Sequence, residues 1–305
     1  MKVPMKVLVL GSNGQLGFEL MRADWAPGTD VVGLPYPEFD VTRPGDVEKA
    51  VATHAPDLLV NATAHTAVDK AESEVDLSFA INRDGPGAMA AACAARGIPF
   101  IHVSTDYVFD GTKDGIYTED DPINPLGVYG ASKAAGEEAV RAATPNHVIL
   151  RTSWVYSAYG NNFVKTMLRF GKEREEMRVV ADQHGSPTAA ADLAAAIVQI
   201  AGTLEKINGE KTGSAAWGTY HLTGGGYTTW HDFAEHIFRR LEERTGKRPR
   251  LTAIGTADYP TPARRPANSR LDCSRAKERL GVSCPPWQES VDRVIDELFT
   301  NPPQA

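Results

Sequence analysis

The first half of the sequence alternates short apolar runs with stretches of helical periodicity. The apolar runs cover 5–10, 31–34, 57–64 and 99–105, and the helical patterns between and after them cover 14–23, 47–55, 76–97 and 129–143. Strands that alternate with helices along a chain form a parallel sheet, and right-handed crossovers place helices on both of its faces. The pattern therefore predicts an α/β fold with a doubly wound parallel sheet of the Rossmann type.

Three glycines follow the first apolar run directly and open the first helix. Gly11, Gly14 and Gly17 are spaced as GxxGxxG, with Asn13, Gln15 and Leu16 among them. Glycines at this place let the backbone turn sharply and approach a pyrophosphate, which the amide groups of the helix then face. We predict that residues 11–17 bind a dinucleotide.

The end of the second apolar run does not decide which dinucleotide is bound. An acidic residue there would hold the ribose 2′-hydroxyl of NAD, and an arginine would indicate the 2′-phosphate of NADP, but Pro35 and Tyr36 occupy the position. NADH and NADPH both stay open. Asp40 is either a hydrogen-bond acceptor for the adenine amino group or a turn residue before the next helix.

The second half is less regular. It shows a strand pattern at 147–156 and 218–224, a strand and loop at 177–188, helices at 191–206 and 228–246, and a proline-rich segment at 257–272. We predict a dinucleotide-binding domain of residues 1–155 plus roughly 176–226. Residues from roughly 156 to 175 and from 227 to 305 would form a smaller, partly interleaved C-terminal α/β substrate domain.

Tyr129 and Lys133 are one helical turn apart on a strongly helical stretch, so their side chains share a face. A nearby ammonium favours the phenolate and lowers the pKa of a tyrosine, which suits proton transfer near neutral pH. The YxxxK spacing alone is common on solvated helices. It gains weight from the glycine turn and from a hydroxyl residue at a strand end.

That hydroxyl residue belongs to the stretch "STDYVFDG", residues 104–111, which follows the apolar run "IPFIHV". Ligands of parallel sheets gather beyond the carboxyl ends of the strands. Thr105 at such an end, together with Tyr129, would place two hydrogen-bond donors on one carbonyl oxygen and stabilise the alkoxide that forms when hydride reaches the carbon.

Composition excludes several other classes of protein. The net charge is −7, and the chain has no long basic run and no aromatics interleaved with lysine or arginine, which argues against a nucleic-acid partner. The three cysteines are scattered without CxxC spacing, and no apolar run approaches the roughly 20 residues of a membrane span. We expect reduced thiols, a cytoplasmic location and no membrane partner.

Several longer motifs resemble the dTDP-4-dehydrorhamnose reductase family of the extended short-chain dehydrogenase/reductase superfamily. They are "GSNGQLGFEL", "NATAHTAVDKAESE", "STDYVFDG", "VYGASKAAGE", "RTSWVY", "GNNFVKTMLR", "DQHGSPT", "TTWHDFA" and "YPTPARRPANSRL". The resemblance covers nearly the whole chain. It implies NAD(P)H-dependent reduction of the 4-keto group of dTDP-4-dehydro-β-L-rhamnose to dTDP-L-rhamnose.

The resemblance also implies roles for individual residues. The implied catalytic set is Thr105, Tyr129 and Lys133, with Tyr129 as proton donor. The implied cofactor contacts beyond the glycine turn are Asp40, Val41, Ala64, His65, Thr66, Val103, Tyr129 and Lys133. The implied substrate contacts are Thr105, Asp106, Trp154 and Asn162. Arg264 and Arg265 suit a diphosphate, because guanidinium groups match phosphate, although a packed or surface arginine pair fits them equally.

The family is compatible with a homodimer and with magnesium bound between subunits by acidic side chains. Glu19 matches an acid of the first helix, but the stretch "SPTAAADL" offers alanines around Asp192 where further carboxylates would be needed. This composition argues against a built-in magnesium site, and whether magnesium is a cofactor stays open.

Three other functions are compatible with parts of this pattern. A dehydratase of the superfamily carries Asp-Glu after the threonine, whereas Tyr107 follows Asp106 here. A nucleotide-sugar epimerase has overlapping needs and stays open. A non-catalytic dinucleotide-binding regulatory subunit, similar to that of methionine adenosyltransferase, is the alternative outside the enzymes, and the complete Thr–Tyr–Lys set argues against it.

Overall fold

The computed structural model describes residues 5–209 and 216–300. Its central feature is a parallel sheet of six strands in the order β10-β5-β4-β3-β1-β2. These strands are β1 (Lys6–Leu10), β2 (Asp30–Leu34), β3 (Leu58–Asn61), β4 (Phe100–Thr105), β5 (His147–Thr152) and β10 (Gly218–His221). The predicted doubly wound parallel sheet is confirmed.

Helices cover both faces of this sheet. They are α1 (Gln15–Arg22), α2 (Asp46–His54), α3 (Val68–Ala71), α4 (Val75–Phe79), α5 (Gly85–Ala94), α6 (Val128–Ala143) and α8 (Ala190–Gly209). A π-helical turn at Ala80–Asp84 joins α4 to α5, and a 3-10 turn at Asp106–Val108 follows β4. One buried cluster packs α1 and α8 against one face, and another packs α2 and α5 against the opposite face. Strands buried on both sides explain why the apolar runs are continuous.

The remaining elements build a second region on one edge of the sheet. Its strands are β6 (Val155–Tyr156), β7 (Glu176–Val180), β8 (His184–Gly185), β9 (Thr188–Ala189), β11 (Thr228–Thr229) and β12 (Arg250–Ile254). Its helices are α7 (Phe163–Glu173), α9 (Trp230–Thr245) and α11 (Trp287–Thr300), with a 3-10 turn at Thr256–Asp258. Helix α10 (Ser274–Leu280) packs instead against the central sheet through Ala276 and Leu280. A separate buried cluster of α7, α9 and α11 side chains forms its core. The division into two domains at the predicted boundaries stays a prediction.

The strand order places the site. The chain leaves β1 towards β2 on one side and towards β3, β4 and β5 on the other, so β1 and β3 flank the point where the order reverses. Because parallel strands end at the same edge, the segments after β1, β3, β4 and β5 meet beyond their carboxyl ends. In the described part of the chain, no helix is long and apolar enough to cross a membrane.

Candidate active site

The glycine turn after β1 packs too tightly for side chains. Gly11 adopts φ +82°, and a Cβ there would lie 2.9 Å from Thr63 Cγ2. A Cβ at Gly17 would lie 2.1 Å from the carbonyl oxygen of Gly11. Gly14 is the N-cap of α1 and has no side chain that could cap the first amide groups of this helix. The first amide groups of α1 are therefore free to receive an anion, which fits a dinucleotide pyrophosphate.

The residues between these glycines fasten the turn to its neighbours. The Asn13 side chain donates to the carbonyl oxygen of Tyr36 at 2.8 Å and accepts from the Tyr36 amide at 3.2 Å. Gln15 Oε1 accepts from Asn162 Nδ2 at 2.9 Å. Leu16 points into the core below. The turn is thus held from two directions before any ligand arrives.

Asn162 contacts the cofactor side of the site as well as its own helix. Its Oδ1 accepts from the Lys165 amide at 3.1 Å, which makes it the N-cap of α7, and its Nδ2 also donates to the Ser157 carbonyl at 2.7 Å. The residue therefore ties α7 to the glycine turn through Gln15. The implied substrate contact of Asn162 stays a prediction.

Asp40 and Val41 lie in the loop after β2. Asp40 Oδ1 accepts from the Thr42 amide at 3.0 Å and from the Thr42 hydroxyl at 2.7 Å, and these bonds lower the pKa of the carboxyl. This geometry is that of an Asx turn, and it agrees with the role of Asp40 as a turn residue rather than as an acceptor for the adenine amino group. Val41 packs against Gly85 at the start of α5.

The segment after β3 is held by the helices below it. The His65 amide donates to Asn82 Oδ1 at 2.9 Å, and its imidazole contacts Ser78 Oγ at 2.9 Å and Glu74 Oε2 at 3.0 Å. Asn82 in turn donates to Ser132 on α6 at 3.0 Å. These contacts use the polar atoms of His65 and fix the backbone of residues 64–66 beside the glycine turn.

Helix α6 brings the predicted catalytic residues together. Tyr129 and Lys133 are both buried on its inner face, and Lys133 Nζ donates to the carbonyl oxygen of Val103 at 2.7 Å. Thr105, at the end of β4, lies close enough to the Tyr129 phenol for its hydroxyl to lower the pKa of that phenol. The Tyr107 ring packs edge-on against Tyr129 with centroids 5.4 Å apart. The hydroxyl, the phenol and the ammonium therefore converge at the carboxyl end of β4.

Burial sets the ionisation of this group. Desolvation raises the pKa of Tyr129 to about 12, against the lowering effect of Thr105, and it lowers the pKa of Lys133 to about 8. The expected net lowering of the pKa of Tyr129 is therefore wrong for this structure, because burial and the negative charge of Asp106 raise this pKa and the lowering contribution comes from Thr105. The consequence is a phenol that holds its proton at neutral pH, as a proton donor must.

Asp106 follows Thr105 and is almost fully buried, with 2% of its surface exposed. Its Oδ1 accepts from the Thr105 hydroxyl at 2.9 Å, while Oδ2 is buried and makes no hydrogen bond of good geometry, although the Ser269 hydroxyl is near enough to lower the pKa of the carboxyl. Desolvation raises the pKa of this carboxyl to about 6. A buried acceptor that lacks a donor fits a site whose ligand supplies a hydroxyl group.

Trp154 has a strained backbone and a fixed ring. Its φ of +49° lies in the left-handed region that bulky residues avoid. The ring stacks on Trp230 with centroids 3.7 Å apart and 13° between the planes. On another side, a Cβ at Gly185 would lie 2.6 Å from Trp154 Cε2. The surroundings therefore hold the indole in one place.

A cavity of about 740 Å³ extends away from this tryptophan pair. Its lining mixes aromatic, apolar, basic and acidic side chains, among them Phe163, Met167, Phe170, Arg174, Glu176, Met177, Arg178, Trp230, Asp258, Tyr259 and Arg265. The volume and the lining are typical of small-molecule sites. Sequence reasoning missed all of these except Arg265, although the placement of Trp230 at the start of an amphipathic helix was an available signal.

The two arginines singled out from the sequence differ in position. Arg265 lines the cavity, whereas Arg264 is exposed. Arg265 forms a two-bond ion pair with Asp69, with Nη2 to Oδ2 at 2.9 Å and Nη1 to Oδ1 at 3.2 Å. This pair links α3 to the proline-rich segment and places a guanidinium at the cavity wall.

The acidic residues considered for magnesium have protein partners. Glu19 is buried, and its carboxylate accepts from Ser157 Oγ at 2.7 Å and pairs with Arg22 Nε at 2.6 Å. Asp192 pairs with Ser290 and Arg293. Within residues 5–209 and 216–300, no group of three or more His, Cys, Asp or Glu side chains is placed to hold a metal ion.

Comparison with known proteins decides the family. The family model described as "RmlD substrate binding domain" matches residues 5–300. The chain belongs to this family. A dTDP-4-dehydrorhamnose reductase of Sinorhizobium fredii is 46% identical to this chain over 295 residues, which cover 97% of this chain and 98% of that protein.

Solved structures agree with the family assignment. A dTDP-4-dehydrorhamnose reductase from Clostridium acetobutylicum has a TM-score of 0.86 at 39% identity and covers 97% of this chain and 100% of its own. A dTDP-4-dehydrorhamnose reductase from Bacillus anthracis, solved in complex with NADP, has a TM-score of 0.85 at 35% identity, with 96% and 99% covered. The family predicted from the sequence motifs is confirmed.

Proposed function

We propose that this chain reduces the 4-keto group of dTDP-4-dehydro-β-L-rhamnose with NADPH or NADH and gives dTDP-L-rhamnose. The observation that carries the proposal is the buried group of Thr105, Tyr129 and Lys133 at the carboxyl end of β4. The names of the relatives over nearly the full length of this chain support the substrate, and the NADP complex of one relative supports the cofactor class.

The dinucleotide would lie across the glycine turn and the ends of β3 and β4. Gly11 and Gly17 leave room for the pyrophosphate, and the amides of α1 face it. Further along, the backbone of residues 64–66, Val103 and the Lys133 ammonium would contact the nicotinamide half. A reduced nicotinamide, when bound, supplies a hydride to the keto carbon of the sugar.

The side chains of this chain complete the reaction by handling the oxygen. Tyr129 would donate a hydrogen bond to the keto oxygen, and Thr105 would do so when its hydroxyl turns from Asp106 to the substrate. Both bonds would stabilise the negative charge that develops on the oxygen. Tyr129 then gives its phenolic proton to the alkoxide, which yields the alcohol. Lys133, as an ammonium, compensates the phenolate left behind. Hydride and proton together account for the two hydrogens that the sugar gains.

The sugar nucleotide would extend from Thr105 and Asp106, past Trp154, into the cavity beside Trp230. Asp106 Oδ2 would accept from a sugar hydroxyl, which supplies the donor that this buried oxygen lacks. Arg265 at the cavity wall would exchange its two bonds to Asp69 for bonds to the diphosphate, because its planar fork matches phosphate oxygens.

The direct test is turnover with the keto sugar nucleotide. Purified protein, NADPH or NADH, and dTDP-4-dehydro-β-L-rhamnose should show loss of reduced-nicotinamide absorbance and equal formation of dTDP-L-rhamnose by nuclear magnetic resonance. Folded protein that binds the dinucleotide but consumes none would contradict the reductase and favour a regulatory subunit. Sugar epimerisation without net cofactor oxidation would favour an epimerase.

Replacement of Arg265 tests the placement of the diphosphate. We expect Arg265→Met to raise KM for the sugar nucleotide at least about tenfold, since one charge-assisted phosphate contact contributes roughly 1.5–3 kcal/mol. The dissociation constant of NADPH should stay unchanged. Arg264→Met is the matched control, because Arg264 is exposed beside it. Equal KM values for the two variants would refute a diphosphate contact by Arg265.

A further inference from the structure

Helix α6 carries a buried carboxylate for which the reaction described above has no use. Glu137 lies one turn after Lys133, and its surface is 0% exposed. Glutamate is almost never fully buried unless it is paired, because an ionised carboxylate loses its hydration there. The position next to the catalytic lysine therefore calls for a physical reason.

Three side chains from three elements hold this carboxylate. Arg151 on β5 donates from Nε to Oε1 at 2.9 Å and from Nη2 to Oε2 at 2.7 Å, which is a two-bond ion pair. Ser104 on β4 donates to Oε1 at 2.6 Å. Arg141, one turn further along α6, donates to Oε2 at 3.2 Å. Both carboxylate oxygens are thus fully engaged.

The partners stand beside the catalytic contacts. Ser104 lies between Val103, whose carbonyl accepts from Lys133, and Thr105, which lies near the Tyr129 phenol and lowers its pKa. Arg151 is the register partner of Ser104 across the β4–β5 pair. One carboxylate therefore connects α6 to both strands at the level where the lysine and the phenol reach their partners.

A contribution to stability does not by itself explain why an ion pair is buried at this position. Replacement of a buried ion pair by apolar side chains of similar size is often neutral or stabilising, because desolvation offsets the attraction. A pair with an unambiguous geometry can instead fix how two elements meet. Here the fixed relation is that of α6 to the end of β4.

We propose that Glu137 is a positioning residue of the catalytic centre, which through Ser104 and Arg151 sets α6 against β4 and keeps the Lys133 ammonium at the Val103 carbonyl. This inference rests on the proposed function. It assigns Glu137 no contact with substrate or cofactor.

The negative charge of Glu137 also favours the ammonium form of Lys133. Burial lowers the pKa of Lys133 to about 8, and the negative charge of Glu137 opposes this fall. Other ionisable groups on the elements packed around Lys133 are Tyr129 and Arg141 on α6, His102 on β4, Asp106 after it, His147 and Arg151 on β5, and Glu72 before α6. Loss of the Glu137 charge should lower the pKa of Lys133 further and leave more of it neutral.

The test compares two variants that remove charge with one that does not. Glu137→Gln leaves Arg151 unpaired, and Glu137→Gln with Arg151→Met removes both charges and protects folding. Ser104→Ala removes one hydrogen bond and no charge. The first readout is the pKa of Lys133 in the protein without cofactor, from nuclear magnetic resonance of isotope-labelled lysines, assigned with Lys133→Met.

The expected result is a graded fall in the pKa of Lys133. It should be at least about one unit in Glu137→Gln, smaller in the double variant and negligible in Ser104→Ala. The alkaline limb of kcat for the reduction should move to lower pH in the same order, and the affinity for NADPH should weaken at alkaline pH. The lysine titration needs no sugar, so its outcome is independent of whether the proposed reaction occurs.

A matched control separates positioning from loss of a buried carboxylate in general. Glu119→Gln removes a carboxylate whose side chain is 4% exposed and which pairs with Arg275 on α10. We expect wild-type Lys133 titration and pH profile in this variant. A folded double variant with the lysine pKa and the alkaline limb of the wild type would overturn the proposal, as would a shift of equal size in Glu119→Gln.

Discussion

At the scale of single residues, burial is the largest influence on the pKa of three central groups in the candidate site. Tyr129 keeps its proton, Lys133 loses part of its preference for the charged form, and the pKa of Asp106 is raised. Spacing identified Tyr129 and Lys133, and the family resemblance implied a role for Asp106. The sequence could not supply their pKa values, because desolvation depends on what packs around them in the fold.

Asp106 should lower stability at neutral pH. Burial raises its pKa to about 6 from a usual value of 3.8, so the folded state binds the proton more tightly than the unfolded state does. The stability from this group is complete below about pH 3.8 and is lost as the pH rises through about 6. We expect Asp106→Asn to raise the free energy of unfolding by roughly 1–3 kcal/mol at about pH 8 and to change it little at about pH 4.

Urea unfolding at the two pH values measures this difference, and turnover should fall in the same variant because the sugar hydroxyl loses its acceptor. Asp110 in the same motif is the matched control with the opposite sign. Hydrogen bonds from Thr112 and Asn124 lower the pKa of its carboxyl. Asp110→Asn should therefore lower stability at neutral pH. A loss of stability in both variants would contradict the account of Asp106.

At the scale of elements, periodicity predicted the parts that position the catalytic group. The strands β1 and β4, the glycine turn and α6 follow from local patterns, because each buries a continuous apolar run or face. The strand β12 (Arg250–Ile254) was missed. It pairs in parallel with β7 (Glu176–Val180), far away in the chain, so no local pattern marks it. The cavity beside these strands was missed for the same reason.

The N-terminus of α6 is capped by Glu72, which directly follows helix α3. Glu72 Oε1 accepts from the Val128 amide at 2.8 Å and so caps the helix that carries Tyr129. We expect Glu72→Ala to lower the free energy of unfolding by about 1–2 kcal/mol, since it removes a cap and a negative charge at a helix N-terminus. Urea unfolding measures the change, and Glu138→Ala on the exposed face of α6 is the control. Equal effects of the two substitutions would argue against capping.

At the scale of the whole molecule, the site joins two regions that the sequence predicts with unequal success. Strand β4 supplies Thr105 and helix α6 supplies Tyr129 and Lys133, and all three residues were predicted from the sequence. The second region supplies the Trp154–Trp230 stack and the cavity, of which only Trp154 and Arg265 were named. The difference has a physical cause, because a catalytic motif is local in sequence whereas a cavity wall is assembled from several distant segments.

The central claim is that Tyr129 gives the proton that completes hydride transfer to the sugar. The most direct measurement uses NADPH deuterated at the transferable position of the nicotinamide, with wild-type protein and Tyr129→Phe, and follows the label by nuclear magnetic resonance. The account predicts deuterium at the reduced carbon of the wild-type product. It also predicts at least about a hundredfold slower labelling in Tyr129→Phe, with unchanged NADPH affinity. Labelling by Tyr129→Phe at the wild-type rate would contradict it.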